Sequence, residues 1–374
     1  MNILFTAFIN PHAQSGVEKK ILGQIKALEQ LGNEVWYFTF ENGMLTVNHS
    51  GKQHPLFPVK DSMASYYLAL EKGSRMICRS RDLDLAYIRR IFCTPMHLKT
   101  LHMLRAKGVF LVEELPTYPY DGESANYKQL SYRVTAVVDK LCRGGFKRYL
   151  DYFVTYSQDK TIFGVPTICL ENAIDFDNIQ FRPTVFPKKE INLVGVSAMC
   201  PWHGYERVIK GLARYYERPR KIQVNLHLVG QGPEKAGWEE LTAALGLERY
   251  VTFYGHKTGE ELNAIFDKCQ VGVGSLGFYK IGLTAGSPLK TREYAAMGKP
   301  FIYAMEDRSV AQVAGFCLKV DNCDAAINIE TVVKFYDGIR LEQGLCERLN
   351  KFAVKNYSWE TQMEKVLEAV VPQD

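Results

Sequence analysis

Ile3-Leu4-Phe5-Thr6-Ala7-Phe8 is a largely apolar run of the length of one buried strand, and Asn10-Pro11-His12-Ala13-Gln14-Ser15-Gly16 follows it as a loop. Beyond the loop, Val17, Ile21, Leu22, Ile25, Leu28 and Leu31 recur at helical spacing on one face, and Gly32 stops the helix. Val35-Trp36-Tyr37-Phe38 is a second buried strand. Strand, helix and strand in this order make a β-α-β unit, the building block of a parallel sheet. Similar strands recur at Ala86-Tyr87-Ile88, Val109-Phe110-Leu111-Val112 and Tyr152-Phe153-Val154-Thr155. The first half of the chain is therefore predicted to be a doubly wound α/β domain.

A proline- and charge-rich break, Phe181-Arg182-Pro183-Thr184-Val185-Phe186-Pro187-Lys188-Lys189, marks the expected linker, and the alternation then restarts. Strand Ile191 to Val196 leads to a helix near Tyr205, and strand Val224 to Val229 ends in Gly230-Gln231-Gly232. After Tyr250 to Gly255, Thr258 and Glu261 form a T-x-x-E capping box for a helix running to about Lys268. Strand Val271 to Gly274, helix Leu289 to Met297 with Gly298 as its stop, and strand Phe301 to Ala304 complete the pattern. The expected architecture is α/β, with Rossmann-like doubly wound domains over residues 1–185 and 190–357. In tandem, two such domains are expected to face a central cleft, where the carboxyl-end loops of the strands bind ligands.

Composition narrows the class. The chain has 374 residues, 47% hydrophobic and 23% charged, which suits two packed domains and excludes disorder. A net charge of +5 does not point to nucleic acid. The nine cysteines are scattered, with no C-x-x-C pair and no clustered histidines, which fits buried thiols in a reducing compartment. The N-terminus has no basic leader, and no run of about 18 apolar residues exists to span a membrane. The expected location is cytoplasmic.

The segment with the most chemistry is Ser287-Pro288-Leu289-Lys290-Thr291-Arg292-Glu293-Tyr294-Ala295-Ala296-Met297-Gly298-Lys299-Pro300. Ser287 is expected to cap a helix with Pro288 at its first position. The N–H groups of that end favour an anion, and Lys290 and Arg292 reinforce it. Glu293, one turn from Lys290, shares its face and is placed to accept two ribose hydroxyls while Lys290 meets phosphate. An ordinary capped surface helix with a Lys–Glu pair has the same pattern.

That segment resembles the S-P-L-K-x-x-E-Y-x-x-x-G-x-P stretch of retaining glycosyltransferases with the GT-B fold, in the large family 4. Gly274-Ser275 stands ahead of it, where family members carry a Pro-Ser or similar pair. Other pieces occur in the family's order. Ser15-Gly16-Val17 is similar to its glycine loop, near donor phosphate and acceptor, and Asn172-Ala173-Ile174-Asp175 to the segment before its linker. Val194-Gly195-Val196-Ser197 ahead of Trp202-His203-Gly204 resembles the loop after the first strand of its nucleotide domain. Leu228-Val229-Gly230-Gln231-Gly232-Pro233 resembles its G-x-G-P turn, and Val251 to Gly255 the strand whose following loop, here at His256, meets the base. Tyr357-Ser358-Trp359-Glu360 resembles the start of a final helix, about 358–374, that crosses back to the first domain.

The resemblance implies a hexosyltransferase that moves a sugar from a nucleotide-diphosphate sugar with retention of configuration. It implies synthesis of a surface polysaccharide or glycoconjugate. The donor would be held by Gly16, Ser197, Gly230, Gly255, His256, Ser287, Leu289, Lys290, Thr291 and Glu293, with Lys290, His203 and Glu293 doing the chemistry. The sequence departs from the family at three places. Ala285 stands where the first Glu of an acidic pair is usual, and Leu276 to Gly286 is long. Val196 and His203 replace an Arg and a Lys that stabilise the departing diphosphate. Lys290, Arg292, His203 or Lys280 must then supply that charge, with His203 expected to titrate near neutrality. No metal or other cofactor is expected, because no D-x-D stands in a suitable loop, and Asp82-Leu83-Asp84 precedes a strand in the first half.

On the acceptor side, Glu113 to Glu123 follows a strand and mixes carboxylates with Tyr118 and Tyr120, a chemistry suited to sugar hydroxyls and sugar faces. Ser15, Arg89, Glu114, Tyr118 and Tyr120 are the acceptor candidates, with Arg89-Arg90 facing an acceptor phosphate or solvent. Residues 127–152 read as a basic amphipathic helix pair, suited to an anionic membrane surface and a lipid-linked acceptor, or to a solvated face. Location would then be peripheral on the inner face of the membrane. Two other functions fit the same residues: a catalytically weakened nucleotide- or glycan-binding partner of an active transferase, and a sugar-nucleotide epimerase of the same fold. An NAD-dependent enzyme is disfavoured, since no G-x-G-x-x-G follows the first strand of either half.

Overall fold

The computed structural model describes residues 1–10, 16–60, 62–89, 92–120, 130–311 and 313–370. The chain divides into two compact units, Met1–Glu171 with Trp359–Asp374, and Asn172–Ser358. The division falls before the proline-rich stretch rather than within it. That stretch is bound into the second unit: Arg182 pairs with Asp267 at 2.7 Å, Tyr336 donates to the Pro187 carbonyl at 2.9 Å, and Phe186 packs on the Tyr336 ring.

The first unit runs β1 (Asn2–Thr6), α1 (Gly16–Gln30), β2 (Glu34–Glu41), β3 (Met44–His49), β4 (Lys52–Pro58), α2 (Met63–Ser80), β5 (Leu85–Arg89), α3 (Pro95–Ala106), β6 (Phe110–Leu115), α4 (Leu130–Cys142), β7 (Tyr152–Thr155), β8 (Thr161–Ile162) and β9 (Val165–Cys169). Its sheet has the order β4-β3-β2-β1-β5-β6-β7-β9-β8. From β2 to β9 the neighbours are parallel, whereas β3, β4 and β8 pair antiparallel at the edges. Ile3, Leu4 and Phe5 are fully buried, as expected of a strand covered on both faces. Asn42 and Gly43, both at positive φ, form the tight turn between β2 and β3. The C-terminal helix Trp359–Val370 belongs to this unit: Trp359 packs on Gly23 of α1, and Gln362 accepts from the Glu171 amide at 2.9 Å.

The second unit runs β10 (Glu190–Val196), α5 (Glu206–Tyr216), β11 (Gln223–Val229), α6 (Lys235–Ala244), β12 (Val251–Phe253), α7 (Gly259–Lys268), β13 (Val271–Val273), α8 (Leu289–Ala296), β14 (Phe301–Tyr303), α9 (Arg308–Ala311), β15 (Cys317–Lys319), α10 (Ile329–Ile339) and α11 (Leu345–Tyr357). All six strands are parallel in the order β12-β11-β10-β13-β14-β15. Ile191, Leu193, Leu226 and Val271 pack with α5 and α10 on one face, and Val194, Val229 and Phe301 pack with Tyr294 and α7 on the other. Each fully buried aliphatic side chain contributes roughly 1.5–3 kcal/mol.

Two expected caps form differently. Thr258 is the N-cap of α7, yet its hydroxyl makes no capping bond, and Glu261 instead accepts from Lys257 at 2.6 Å. Ser287 does not cap α8, whose N-cap is Pro288. The Ser287 hydroxyl accepts from the Asn172 amide at 3.1 Å, and its carbonyl from the Asn172 side chain at 2.9 Å.

Candidate active site

In the second sheet the strand order reverses between β10 and β13. The loops leaving the carboxyl ends of those two strands are where an open α/β sheet binds its ligand. The loop after β10 carries Ser197 and His203; the loop after β13 ends at α8, which carries Lys290 and Glu293.

Three predicted binding positions meet through backbone bonds. The Ser197 amide donates to the Val229 carbonyl at 2.9 Å, and the Gly230 amide donates to the Gly255 carbonyl at 2.7 Å. Gly230 sits at φ +128°, and a Cβ there would lie 1.8 Å from the Ser197 carbonyl oxygen. Only glycine lets these turns lie so close. The Ser197 hydroxyl accepts from the Met199 amide at 3.0 Å, which holds the loop. His256 follows Gly255 and is exposed.

The β10 loop is laced to the β13 loop by the Leu276 amide on the His203 carbonyl at 2.9 Å and the Gly277 amide on the Trp202 carbonyl at 3.0 Å. His203 is buried, and its Nδ1 accepts from the Cys200 amide at 2.9 Å. With Nδ1 an acceptor, the ring's proton lies on Nε2. Burial, reinforced by the Lys290 cation, pushes the imidazole pKa down to about 3. His203 is thus a neutral N–H donor, not the group titrating near neutrality that its residue type suggested.

Lys290 occupies the first turn of α8, half-buried. Burial lowers its pKa to about 8, opposed by the charge of Glu293, so it is a cation at neutral pH. Among the described residues it makes no hydrogen bond or ion pair. The helix end adds its own positive potential, with the first N–H groups lacking intrahelical partners. Glu293 is half-buried one turn on. Leu289 is exposed, and the buried Thr291 hydroxyl donates to the Pro288 carbonyl at 2.8 Å.

The other two candidate cations are committed elsewhere. Arg292 is fully buried, paired with Asp307 and donating to Ser309 at 2.7 Å and Thr291 at 2.8 Å, with its guanidinium over the Tyr357 ring. It holds α8 to the segment after β14 and does not serve the anion site. Lys280 pairs with Glu206 at 2.5 Å. Two open recesses of about 730 and 490 Å³ lie at the amino ends of β10, β11 and β12, away from these groups.

The first unit gathers a second polar cluster at the ends of β5, β6 and β7. Glu114 is fully buried and accepts from Tyr87 at 2.7 Å, Gln24 at 2.8 Å and Tyr156 at 3.2 Å. Lys20 lies 3.4 Å and Arg89 3.5 Å from it. Burial alone would raise the Glu114 carboxyl; the two cations and the Tyr87 and Gln24 bonds reverse this and hold it at about 2. Lys20, over the Tyr156 ring at 3.4 Å, is lowered by burial to about 8 against the pull of Glu114. Both partners shift downward, and both remain charged at neutral pH. The sequence reading missed Lys20, Gln24 and Tyr156. Its helix face included Val17 and Leu22, which are exposed, whereas Gln24 is on the buried face.

Tyr120 is buried, with its hydroxyl on Asp139 at 2.9 Å, and Tyr118 packs edge-on to Phe163. The two rings therefore belong to the core cluster beside Phe163, apart from Glu114's hydrogen bonds. Gly16 is the first residue of α1. Ser15, Arg90 and residues 121–129 lie outside the described residues. Asp84 accepts from the Asn2 amide at 2.6 Å, and the Asp82 carbonyl from the Asn2 side chain at 3.0 Å. Among the described residues no group of three or more His, Cys, Asp or Glu is placed to hold a metal ion.

Residues 190–334 match the family described as glycosyl transferases group 1. The match lies wholly within the second unit. It contains all six strands of the second sheet and every group of the Lys290 site. No curated protein matches the sequence. Solved structures similar to the whole chain include sucrose-phosphate synthase (tll1590) from Thermosynechococcus elongatus, at 15% identity and TM-score 0.63 over 98% of both chains. Anabaena Alr3699/HepE in complex with UDP-glucose is similar at 16% identity and TM-score 0.56 over 99% of both chains. The lipopolysaccharide outer core galactosyltransferase WaaB in its apo form is similar at 14% identity and TM-score 0.61, again over 99% of both. The fold of the chain is therefore that of GT-B proteins, with two Rossmann-like sheets. No described helix is long and apolar enough to cross a membrane.

Proposed function

We propose that the chain transfers a hexosyl group, with retention of anomeric configuration, from a nucleotide-diphosphate sugar to a glycan or lipid-linked acceptor, in surface polysaccharide or glycoconjugate synthesis at the cytoplasmic face of a membrane. The observation that carries this reading is Lys290: a half-buried cation at a helix N-terminus, beside the sheet's switch point, inside the stretch that matches the glycosyltransferase family. A diphosphate gains charge as the glycosidic bond breaks. A cation and aligned N–H groups already in place stabilise that charge without reorganisation. The Nε2–H of neutral His203 adds a further donor, and Glu293 accepts the ribose hydroxyls. The leaving diphosphate deprotonates the acceptor hydroxyl on the same face of the sugar, so positioning and electrostatics supply the catalysis. HepE, a protein of this fold, is known in complex with UDP-glucose, which supports a sugar nucleotide as donor. The Glu114 cluster, at the strand ends of the other sheet, is the proposed acceptor side.

The test is release of nucleoside diphosphate from a panel of UDP-, GDP-, ADP- and dTDP-hexoses, with proton NMR of the product's anomeric proton. Lys290→Ala and Glu293→Ala are expected to lower the rate by about a hundredfold or more while the protein stays folded. Full activity in both variants would refute the site. A second reading, a binding partner with weakened catalysis, is favoured by Ala285 and by the burial of Arg292 against Asp307. It predicts nucleotide binding with no turnover on any donor.

A further inference from the structure

Parallel strands covered on both faces are ordinarily apolar on both, yet one face of the second sheet is polar at its amino end. Gln223, Asn225 and His227 alternate onto the same side of β11, with Asn192 of β10 beside Asn225 and Thr252 of β12 beside His227. Two residues further on, Val194 and Val229 of that face pack with Phe266 of α7. The polar row is rigid. Asn225 donates to Glu190 at 2.9 Å and to Asn192 at 2.8 Å and accepts from Gln223 at 3.0 Å, and the His227 ring lies 3.2 Å from the Asn192 oxygen. The row lines the open recess of about 490 Å³, so amides and an imidazole stand at fixed positions toward a ligand's hydroxyls.

That recess shares Gln223, Arg249 and Tyr250 with the larger one, of about 730 Å³, at the ends of α5 and α6. There Tyr250 stacks on Tyr216 at 3.7 Å, with Tyr216 fixed by hydrogen bonds to the Val224 backbone. The Tyr250 hydroxyl and the exposed Arg218 and Arg249 guanidiniums make no hydrogen bond or ion pair among the described residues. Of the acids lining the two recesses, Glu190 accepts from Asn225 and Asp267 pairs with Arg182 at 2.7 Å. Glu217 alone is left against Arg218, Arg249 and Lys268. The carboxyl ends of α5 and α6 add partial negative charge, which disfavours a phosphate at every unit of a ligand and favours hydroxyls that donate.

We propose that the two recesses form one groove that holds a segment of an acidic glycan chain. Its hydroxyls meet Tyr250 and the row from Asn192 to His227, and its carboxylates meet Arg218 and Arg249. The groove lies at the end of the sheet opposite Lys290 and is independent of the donor reading. A chain anchored there keeps its free end at high local concentration.

The test is calorimetric titration of the full chain with hexagalacturonate, with neutral maltohexaose and with a single-stranded hexanucleotide. Hexagalacturonate is expected to bind about tenfold or more tightly than maltohexaose, with an affinity that falls with salt. Arg218→Gln with Arg249→Gln should weaken it about tenfold. Tyr250→Phe, which keeps the ring stack and loses the hydroxyl, should weaken it about threefold. Both variants should keep the wild-type melting temperature and its response to nucleoside diphosphate, whereas Lys290→Ala should still bind hexagalacturonate. These two readouts separate failure of the groove from failure of the donor site. No binding of hexagalacturonate, equal binding of maltohexaose, tighter binding of the hexanucleotide, or an affinity unchanged by the arginine pair would overturn the proposal.

Discussion

An amine held half-buried with no ion pair among the described residues can receive an anion, and the proposed donor site turns on Lys290. Its pKa near 8 gives a signed prediction. As pH rises through about 8, the free protein loses this cation, so kcat/KM for the donor should fall, while kcat, which reports the complex, should fall at higher pH. Lys290→Arg should remove that limb. The stability effect has the other sign. Between about 8 and the ordinary lysine value of 10.5 the unfolded chain binds a proton that the folded chain does not, so this residue's contribution to stability rises with pH there. His203 is expected to add no step near 6.5; a rate with that midpoint, lost in His203→Gln, would return charge to the ring. Lys290 and Glu293 were legible in the sequence because a first-turn Lys–Glu pair follows from spacing alone. Arg292 was not. Its neighbour on the helix is a candidate anion site, but its partner, Asp307, lies in another element, and no local pattern pairs them. Arg292→Ala leaves Asp307 buried and unpaired and should cost about 3–5 kcal/mol in urea unfolding, whereas Lys290→Ala should cost little.

At the scale of elements, the β10 loop and the β11 turn lie against each other because glycine lets backbones approach. Gly230→Ala places a methyl 1.8 Å from the Ser197 carbonyl oxygen, so one of the two turns must move. Nucleoside diphosphate affinity is expected to fall about tenfold or more by calorimetry. Both sheets were legible as alternating apolar strands and helices, since parallel strands buried on both faces read as continuous apolar runs. The β3–β4 hairpin went unread although Ser50-Gly51, both at positive φ, make its tight turn, because β4 is an exposed edge strand with two prolines and little apolar pattern. The Ser287 and Thr258 caps had the right residue types, but Asn172 and Lys257 supply competing partners that a local pattern does not reveal.

At the scale of the molecule, the Lys290 and Glu114 clusters lie in different units and respond differently to pH. Glu114 has a folded value near 2 against an ordinary 4.5, so its contribution to stability is complete above about 4.5 and is lost as pH falls toward 2. Thermal unfolding followed from pH 6 down to about 3 should show a loss that Glu114→Gln diminishes. The central proposal is that the second unit holds a nucleoside diphosphate through Lys290. The most direct measurement is the melting temperature of wild-type and Lys290→Ala protein with UDP, GDP, ADP and dTDP. A ligand that binds only the folded form raises that temperature. One of the four should raise it for the wild-type chain and fail to do so for Lys290→Ala, whose own melting temperature is unchanged. An equal rise in both proteins, or no rise with any of the four, would contradict the account.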